Sequence, residues 1–302
     1  MILTVTPNPA IDLTYRVTAL EPGETHRVAA PAARAAGKGL NVARVIAQTG
    51  GAAFALTTAG GAPGLRLADD LEASGLPSEL VPVSAPTRSS VAIVDEGSGV
   101  TTIFNEIGGA LSPAEWRALG EAVERLAVPA TALVGSGSLP PGAPDSFYAE
   151  LVEVARRRGI PSVIDATGLP LLAAAEAGAD VLKPNRRELA DTVGIDDPVA
   201  GARALLAAGA RLVLVSLGTE GMLAVSATEV SGARLPQPLA GNATGAGDAA
   251  VAAVATSLAA GIDDPALLVR RATAWSAAAV LAPLAGELDP AYPEYEARLV
   301  LS

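Results

Sequence analysis

Short runs of β-branched and aliphatic residues alternate with longer alanine- and leucine-rich stretches along most of this chain. That alternation limits the folds open to it more than any other feature. Strands are expected at Ile2–Thr6, Ala53–Thr58, Ala132–Gly135, Ser162–Asp165, Val181–Lys183 and Leu212–Ser216. Helices are expected at Leu40–Thr49, Leu65–Ser74, Pro113–Leu126, Ser146–Arg158, Leu169–Ala177 and Pro198–Ala208. Apolar strands that each lead into a helix make βαβ units, whose strands pair in parallel and whose sheet needs helices on both faces. The fold class read from this pattern is α/β: a three-layer α/β/α sandwich around a mostly parallel central sheet. Two segments, Asp12–Ala29 and Arg88–Asn105, alternate like strands (Leu13, Tyr15, Val17; Val91, Ile93; Thr101, Ile103) with no helix between the halves of either. They predict either an antiparallel flap outside the main sheet or ordinary edge hairpins. No internal repeat or linker-like run divides the 302 residues, so the sequence reads as one domain, 1–302, with a small lid.

Composition removes several chemistries. The chain has no cysteine, which excludes disulfides, thiolate metal sites and thiol nucleophiles. Its one histidine, His26, argues against a histidine-based triad or a multi-histidine metal site and reads as a solvated lid residue. With 32 acidic residues against 21 basic ones, a basic nucleic-acid groove is not expected. The opening Met1-Ile2-Leu3-Thr4-Val5-Thr6 lacks the cationic start of a targeting signal. The longest apolar stretches, Ala249–Ala260 and Trp275–Leu284, fall short of the ~20 residues a membrane helix needs. Both are expected to be buried helices, and the protein is placed in the cytoplasm with neither nucleic acid nor membrane as partner.

The most informative stretch is Gly241-Asn242-Ala243-Thr244-Gly245-Ala246-Gly247-Asp248, which runs into the apolar segment from Ala249. A glycine-rich turn at a helix start leaves backbone N–H groups free where the helix dipole favours negative charge, and Gly245 and Gly247 carry no Cβ to block a phosphate. A carboxylate beside such a cradle repels phosphate. It makes sense if Asp248 accepts a proton from a hydroxyl that attacks that phosphate; a loop ending in an N-cap aspartate is the plainer alternative. Ala36-Gly37-Lys38-Gly39-Leu40-Asn41 has a similar form, with amides, a lysine and an amide side chain suited to phosphate or sugar hydroxyls. Neither a Walker A loop nor a dinucleotide fingerprint after the first strand is present.

Other candidates lie at strand ends, beyond which open parallel sheets bind their ligands. Asp12 follows the first strand, Asp165 ends another, and Lys183-Pro184-Asn185-Arg186-Arg187-Glu188 ends a third. Asn185 and Glu188, three apart, suit either water-mediated Mg²⁺ binding or a helix cap. Ser216-Leu217-Gly218-Thr219-Glu220-Gly221 is a turn with room for a ligand, or a plain hairpin. Arg156-Arg157-Arg158 reads as the cationic end of a helix.

In order along the chain, these pieces resemble the PfkB (ribokinase-like) family of carbohydrate kinases. The segments that carry the resemblance are Thr6-Pro7-Asn8-Pro9-Ala10-Ile11-Asp12, Ala36-Gly37-Lys38-Gly39-Leu40-Asn41-Val42-Ala43, Gly137-Ser138-Leu139-Pro140-Pro141-Gly142, Lys183-Pro184-Asn185 with Glu188, and Gly245-Ala246-Gly247-Asp248. The first and third point to the hexose-phosphate branch of the family. The resemblance implies Asp248 as catalytic base, with the amides of Ala246, Gly247 and Asp248 around the transferring phosphoryl group and Gly245 at the turn. It implies Asp12, Gly37, Lys38, Asn41 and Ser138 at the sugar, and Arg88 and Arg27 at the phosphate already on that sugar. Lys183, Asn185, Ser216, Gly218 and Gly221 are implied for ATP, and Glu188 for Mg²⁺ through water. A homodimer paired through the lid is implied as well.

The expected reaction is phosphorylation of a ketohexose phosphate by ATP, with fructose 1-phosphate first, tagatose 6-phosphate second and fructose 6-phosphate third. Because its transition state is loose, the expectation is that Asp248 needs little change of pKa. Ala36 stands where the family often has another glycine, and Ala249 where a serine is frequent; the first bears on the substrate rather than the reaction. A non-catalytic sugar-phosphate or nucleotide-binding protein on the same fold is the reading from another class.

Overall fold

The structure, a computed structural model, describes residues 1–237, 239 and 241–302. Strand β1 (Ile2–Thr6) leads through β2 (Ala10–Val17) and β3 (Ala32–Ala36) into helix α1 (Lys38–Gln48). Then come β4 (Ala53–Ala59), α2 (Gly61–Ala73), β5 (Ser78–Pro82), β6 (Arg88–Asp95) and β7 (Thr101–Asn105). The middle of the chain alternates α3 (Pro113–Leu126), β8 (Ala132–Ser136), α4 (Phe147–Arg158), β9 (Ser162–Asp165), α5 (Leu169–Glu176) and β10 (Val181–Leu182), followed by α6 (Arg186–Val193), α7 (Pro198–Ala208) and β11 (Leu212–Ser216). After a 3₁₀ turn at Gly218–Glu220 come β12 (Met222–Ser226), β13 (Val230–Arg234), α8 (Ala246–Ala259), α9 (Pro265–Leu281), α10 (Tyr292–Arg298) and β14 (Val300–Leu301).

Among the described residues the strands form two sheets. The larger has the order β14-β13-β12-β11-β10-β9-β8-β1-β4-β5. From β5 to β11 every pairing is parallel, whereas β12, β13 and β14 add on antiparallel. Side chains alternate across this sheet as the strand period demands. Ile2, Val163, Val181 and Leu212 enter the core under α1, α2, α8, α9 and α10. Leu3, Ile164, Leu182 and Val213 enter the core under α3 to α7. Two buried cores on opposite faces explain the apolar runs in the sequence, and the three-layer sandwich expected from them is what forms.

Local chemistry sets the helix boundaries. Ser112 and Glu115 cap α3 reciprocally with Pro113 in its first turn, and Asp197 and Asp264 cap α7 and α9 by accepting from the amides of Ala200 and Leu267. Helix α8 is buried over nearly its whole length, as its composition predicts. The second apolar stretch fits less well: α9 ends at Leu281, and Leu281 and Leu284 are exposed beside Pro283. Among the described residues no helix is long and apolar enough to cross a membrane.

The second sheet has the order β3-β2-β6-β7 and stands apart from the first as a lid. Strand β2 pairs antiparallel with β3 and parallel with β6, so the lid is mixed rather than purely antiparallel. Its first half also departs from the expected bounds. The partner of β2 is β3 at Ala32–Ala36, while residues 18–31 carry no strand. The turn at Glu21-Pro22-Gly23 and the polar, exposed Glu24-Thr25-His26-Arg27 offer no apolar face to bury, whereas Ala35 and Ala36 do. The lid leaves the body directly at the end of β1. The chain steps from β1 to β4 on one side and later returns to β8 on the other, so the lid overhangs a reversal of strand order, where α/β sheets hold ligands.

Candidate active site

Helix α8 begins at a glycine that only a glycine can occupy easily. Gly245 has φ 86°, and a Cβ there would lie 3.0 Å from the Cα of Ala285. The Ala246 amide donates to the carbonyl of Ala243 at 3.2 Å. Of the three amides expected around a phosphoryl group, those of Gly247 and Asp248 are the ones with no acceptor within the helix. Asp248 follows in the first turn but is buried, and its Oδ2 accepts from Asn41 Nδ2 of α1 at 2.8 Å. Burial, reinforced by the charge of Asp165, pushes its pKa up to about 7 against the opposing pull of Asn41, Lys38 and Lys183. The expectation that this carboxylate needs little adjustment is therefore corrected. The sequence showed the carboxylate and its helix start but not the two packed layers that desolvate it.

Asp165 ends β9 fully buried and meets two cations: Lys38 Nζ lies 3.2 Å from Oδ1, and Lys183 Nζ lies 3.6 Å from Oδ2. Burial opposes its ionisation, but Lys183 and Lys38 outweigh burial and hold its pKa below the usual carboxylate value. Lys38 is held protonated chiefly by Asp165, and its Nζ also lies 3.8 Å from Glu188 Oε1. The Lys183 amine reaches past the end of β10 to the helix start, where a Cβ on Gly247 would meet it at 3.3 Å. The Lys183 ammonium thus stands beside the amides of Gly247 and Asp248, and Lys38 is linked to it through Asp165.

Asn185 and Glu188 form a reciprocal cap on α6, the Glu188 amide donating to Asn185 Oδ1 and the Asn185 amide to Glu188 Oε2, each at 2.8 Å. One Glu188 oxygen is therefore committed to structure, and the other faces Lys38. Asn185 also bridges to Ser216 at the end of β11, which brings those two expected nucleotide residues together. Gly218 opens the 3₁₀ turn with open space around its Cα, so a ligand has room there. Gly221 has a packing reason of its own: a Cβ would lie 2.1 Å from the carbonyl of Ala233.

The lid supplies the other wall. Asp12 on β2 is directly opposite Arg34 on β3 and level with Ser90 on β6. Burial raises its pKa, against a hydrogen bond from Ser90 and the charges of Arg88, Arg44 and Arg34. Arg88 donates to the carbonyls of Asn8 at 3.3 Å and Glu106 at 3.0 Å. Asn8, just past β1, donates to Ser138 Oγ at 3.2 Å. Gly37 caps α1 with φ 140°, and a Cβ there would meet Thr6 Cγ2 at 2.7 Å. The basic residues do not gather in one place. Lys38 turns to the carboxylates at the strand ends and Arg88 to the carbonyls of Asn8 and Glu106, while Arg27 lies in the exposed segment between β2 and β3.

Some residues of the site carried no such signal. Asp165 was marked only by its strand end, and nothing in the sequence tied it to two lysines 127 and 18 positions away. Tyr148, whose hydroxyl donates to the carbonyl of Gly137 at 2.7 Å and so fixes the turn before Ser138, reads in the sequence as a core residue of α4. Arg34 and the Ala285–Glu287 loop showed no pattern at all.

A buried carboxylate, amides without helical acceptors and a lysine at one helix start suit a hydroxyl attacking a phosphoryl group, and comparison with known proteins agrees. The pattern that defines the pfkB family of carbohydrate kinases matches residues 5–291. The chain belongs to that family. It is a carbohydrate kinase, a phosphotransferase with an alcohol group as acceptor. A 1-phosphofructokinase of Xanthomonas campestris is 36% identical over 290 residues, spanning 91% of this chain and 89% of its own. An ATP-dependent 6-phosphofructokinase isozyme 2 of Mycobacterium tuberculosis is 34% identical over 267 residues, 86% of this chain and 78% of its own. Phosphofructokinase-2 from Escherichia coli, solved in complex with fructose-6-phosphate, superposes with a TM-score of 0.89 at 33% identity over 98% of both chains. These relatives divide between a 1-phosphofructokinase and 6-phosphofructokinases, so they do not single out the acceptor placed first from the sequence.

Proposed function

We propose that this carbohydrate kinase transfers the γ-phosphoryl group of ATP to the free primary hydroxyl of a ketohexose phosphate, with fructose 1-phosphate its preferred acceptor. The observation that carries the reading is Asp248: a desolvated carboxylate, oriented by Asn41, beside the amides of Gly247 and Asp248, which have no acceptor within the helix. In the step, the sugar oxygen bonds to the γ-phosphorus, the bond to the β–γ bridging oxygen breaks, and ADP leaves. The hydroxyl proton passes to Asp248. A loose transition state spreads charge over the phosphoryl oxygens, so positioning and fixed donors supply most of the catalysis. The α8 amides and Lys183 would meet that charge, with Lys183 and Lys38 both held by Asp165.

Among the described residues no three carboxylate, histidine or cysteine groups converge on a metal position. The donor set fits Mg²⁺ held largely by water and phosphate: Glu188 Oε1 is free of the helix cap and partly exposed, whereas both Asp165 oxygens face lysine ammonium groups. A Mg²⁺ held through water at Glu188 would supply charge neutralisation to the phosphates. Asn185, Ser216 and Gly218 line the nucleotide side.

The C1 and C6 arms of a ketofuranose leave the ring pseudo-symmetrically, so a lid gripping either phosphate presents the other arm to Asp248. Fructose 1-phosphate is placed first on the opening segment and the Gly37-Lys38-Gly39 loop, and the Xanthomonas relative supports it. Pairing of two lids is part of the proposal, supported by the exposed apolar Ile103 and Phe104 on its outer strand and Val100 and Ile107 flanking it. ADP release measured with Mg-ATP and fructose 1-phosphate, fructose 6-phosphate, tagatose 6-phosphate, ribose and adenosine tests the reading. The highest kcat/KM is expected with fructose 1-phosphate. A preference for either 6-phosphate moves the branch, and no ADP from any of them points to the binding protein instead.

A further inference from the structure

The loop after α9 touches three parts of the site at once. At its start, Ala285 packs against Gly245, so closely that a Cβ on Gly245 would lie 3.0 Å from the Ala285 Cα. In its middle, Gly286, with φ 81°, lies against Asn41, and a Cβ there would come 3.0 Å from Asn41 Oδ1. At its end, Leu288 exchanges two hydrogen bonds with Gln48, both at 2.8 Å. Asn41 and Gln48 are seven residues apart, two turns along one face of α1. The loop is thus strapped along the helix whose Asn41 orients the base, and its first residue props the turn that begins α8.

Arg34 joins this strap to the lid. Its Nη1 donates to the carbonyl of Ala285 at 3.2 Å and to Glu287 Oε1 at 3.1 Å. In β3 it lies directly opposite Asp12, and directly opposed side chains in an antiparallel pair share one face of the sheet. A shift of the lid at Asp12 therefore moves the guanidinium, and with it the backbone that supports both Gly245 and Asn41. The pair is only partly exposed, its side chains 26% and 32% accessible, so water screens it less than a surface ion pair.

We propose that Arg34 and Glu287 form a clasp through which sugar binding under the lid sets the catalytic geometry at Asn41 and Asp248. Arg34 is a positioning residue in this role, one that acts through the loop rather than on the reacting atoms. The clasp rests on the kinase reading, since it couples acceptor binding to the base. It goes beyond that reading in assigning the coupling to a contact outside the expected sugar, phosphate and nucleotide residues.

The test is a double-mutant cycle with Arg34→Gln, Glu287→Gln and both together, read as kcat and as KM for each substrate. The acceptor is fructose 1-phosphate, or fructose 6-phosphate if that is what the wild-type chain turns over. Each single change should lower kcat on the order of tenfold, within the range of coupling between contacting residues, with KM for ATP unchanged. The double variant should be no slower than the slower single. In parallel, hydrogen exchange is followed with the same sugar phosphate and no ATP. In the wild type, amides of the lid strands and of residues 285–288 should both slow; in Arg34→Gln the lid should still slow and the loop should not. Singles whose losses multiply, kcat left unchanged, or loop protection that persists without Arg34 would each overturn the clasp. Absence of turnover by the wild-type chain would instead strike the kinase reading and leave the exchange experiment to judge the clasp alone.

Discussion

Asn41 Nδ2 donates a 2.8 Å hydrogen bond to Asp248 Oδ2 across 207 residues of sequence, and it is a side-chain donor that favours the ionised form of a carboxylate otherwise pushed up to about 7. Removing it in Asn41→Ala should let the pKa of Asp248 rise further. A hydrogen bond to a charged group contributes about 1.5–3 kcal/mol and one pKa unit is about 1.4 kcal/mol, so the acid limb of kcat/KM should move up by about one pH unit or more. Rate profiles from pH 5 to 9 check this: the wild-type limb should fall near pH 7, and the variant should recover activity at higher pH. Coincident limbs would remove Asn41 from the role.

The raised pKa of Asp248 also makes a stability prediction. Its folded pKa of about 7 lies above the ordinary aspartate value of 3.8, so the folded state holds this proton more tightly than the unfolded chain. The associated stability is fully present below about pH 4 and is lost as pH rises through about 7. Asp248→Asn cannot lose it. The Tm of the variant minus that of the wild type should therefore widen between pH 4 and pH 7 and level off above, measured by calorimetry in matched buffers. A difference that stays flat with pH would mean the carboxyl is well solvated.

Gly286→Ala tests the strap along α1. The added methyl meets Asn41 Oδ1 at 3.0 Å in a left-handed backbone at φ 81°, which L side chains rarely adopt. Relief requires the loop or Asn41 to shift, so kcat should fall by at least tenfold while the chain stays folded, at a cost of about 1–3 kcal/mol. Steady-state kinetics with a urea melt separate the two effects; unchanged kcat would show the loop to be a passive cover.

Gly247→Ala probes the phosphoryl position. A Cβ there would stand 3.3 Å from Lys183 Nζ on a helix start that is otherwise tolerant of alanine. Stability should hold and kcat should drop by about tenfold or more, because the methyl occupies the space where the amides and the lysine are to meet the transferring group. An active Gly247→Ala enzyme would move the phosphoryl group elsewhere.

How much of this was legible beforehand depended on range. Ile2–Thr6, Ser162–Asp165, Leu212–Ser216, Pro113–Leu126 and Pro198–Ala208 read correctly to the residue because their apolar period and caps are local. The lid was legible as an excursion at Asp12 and Arg88, but its second strand lay at Ala32–Ala36, where four alanines give no β signal. In the site, Gly245–Asp248 was found because a glycine turn before an apolar helix is a local pattern. The setting of Asp248 was not, because its desolvation and its neighbours Asp165, Lys183 and Asn41 come from separate elements. The same limit hid the clasp, since Arg34 and Glu287 are 253 residues apart.

In the proposed reaction Asp248 takes the proton from the acceptor hydroxyl. Single-turnover phosphoryl transfer by Asp248→Asn, with ATP affinity measured in the same preparation, tests it most directly. The rate should fall by about 10²–10⁴ with ATP binding retained. A variant that transfers the phosphoryl group at close to the wild-type rate would contradict it.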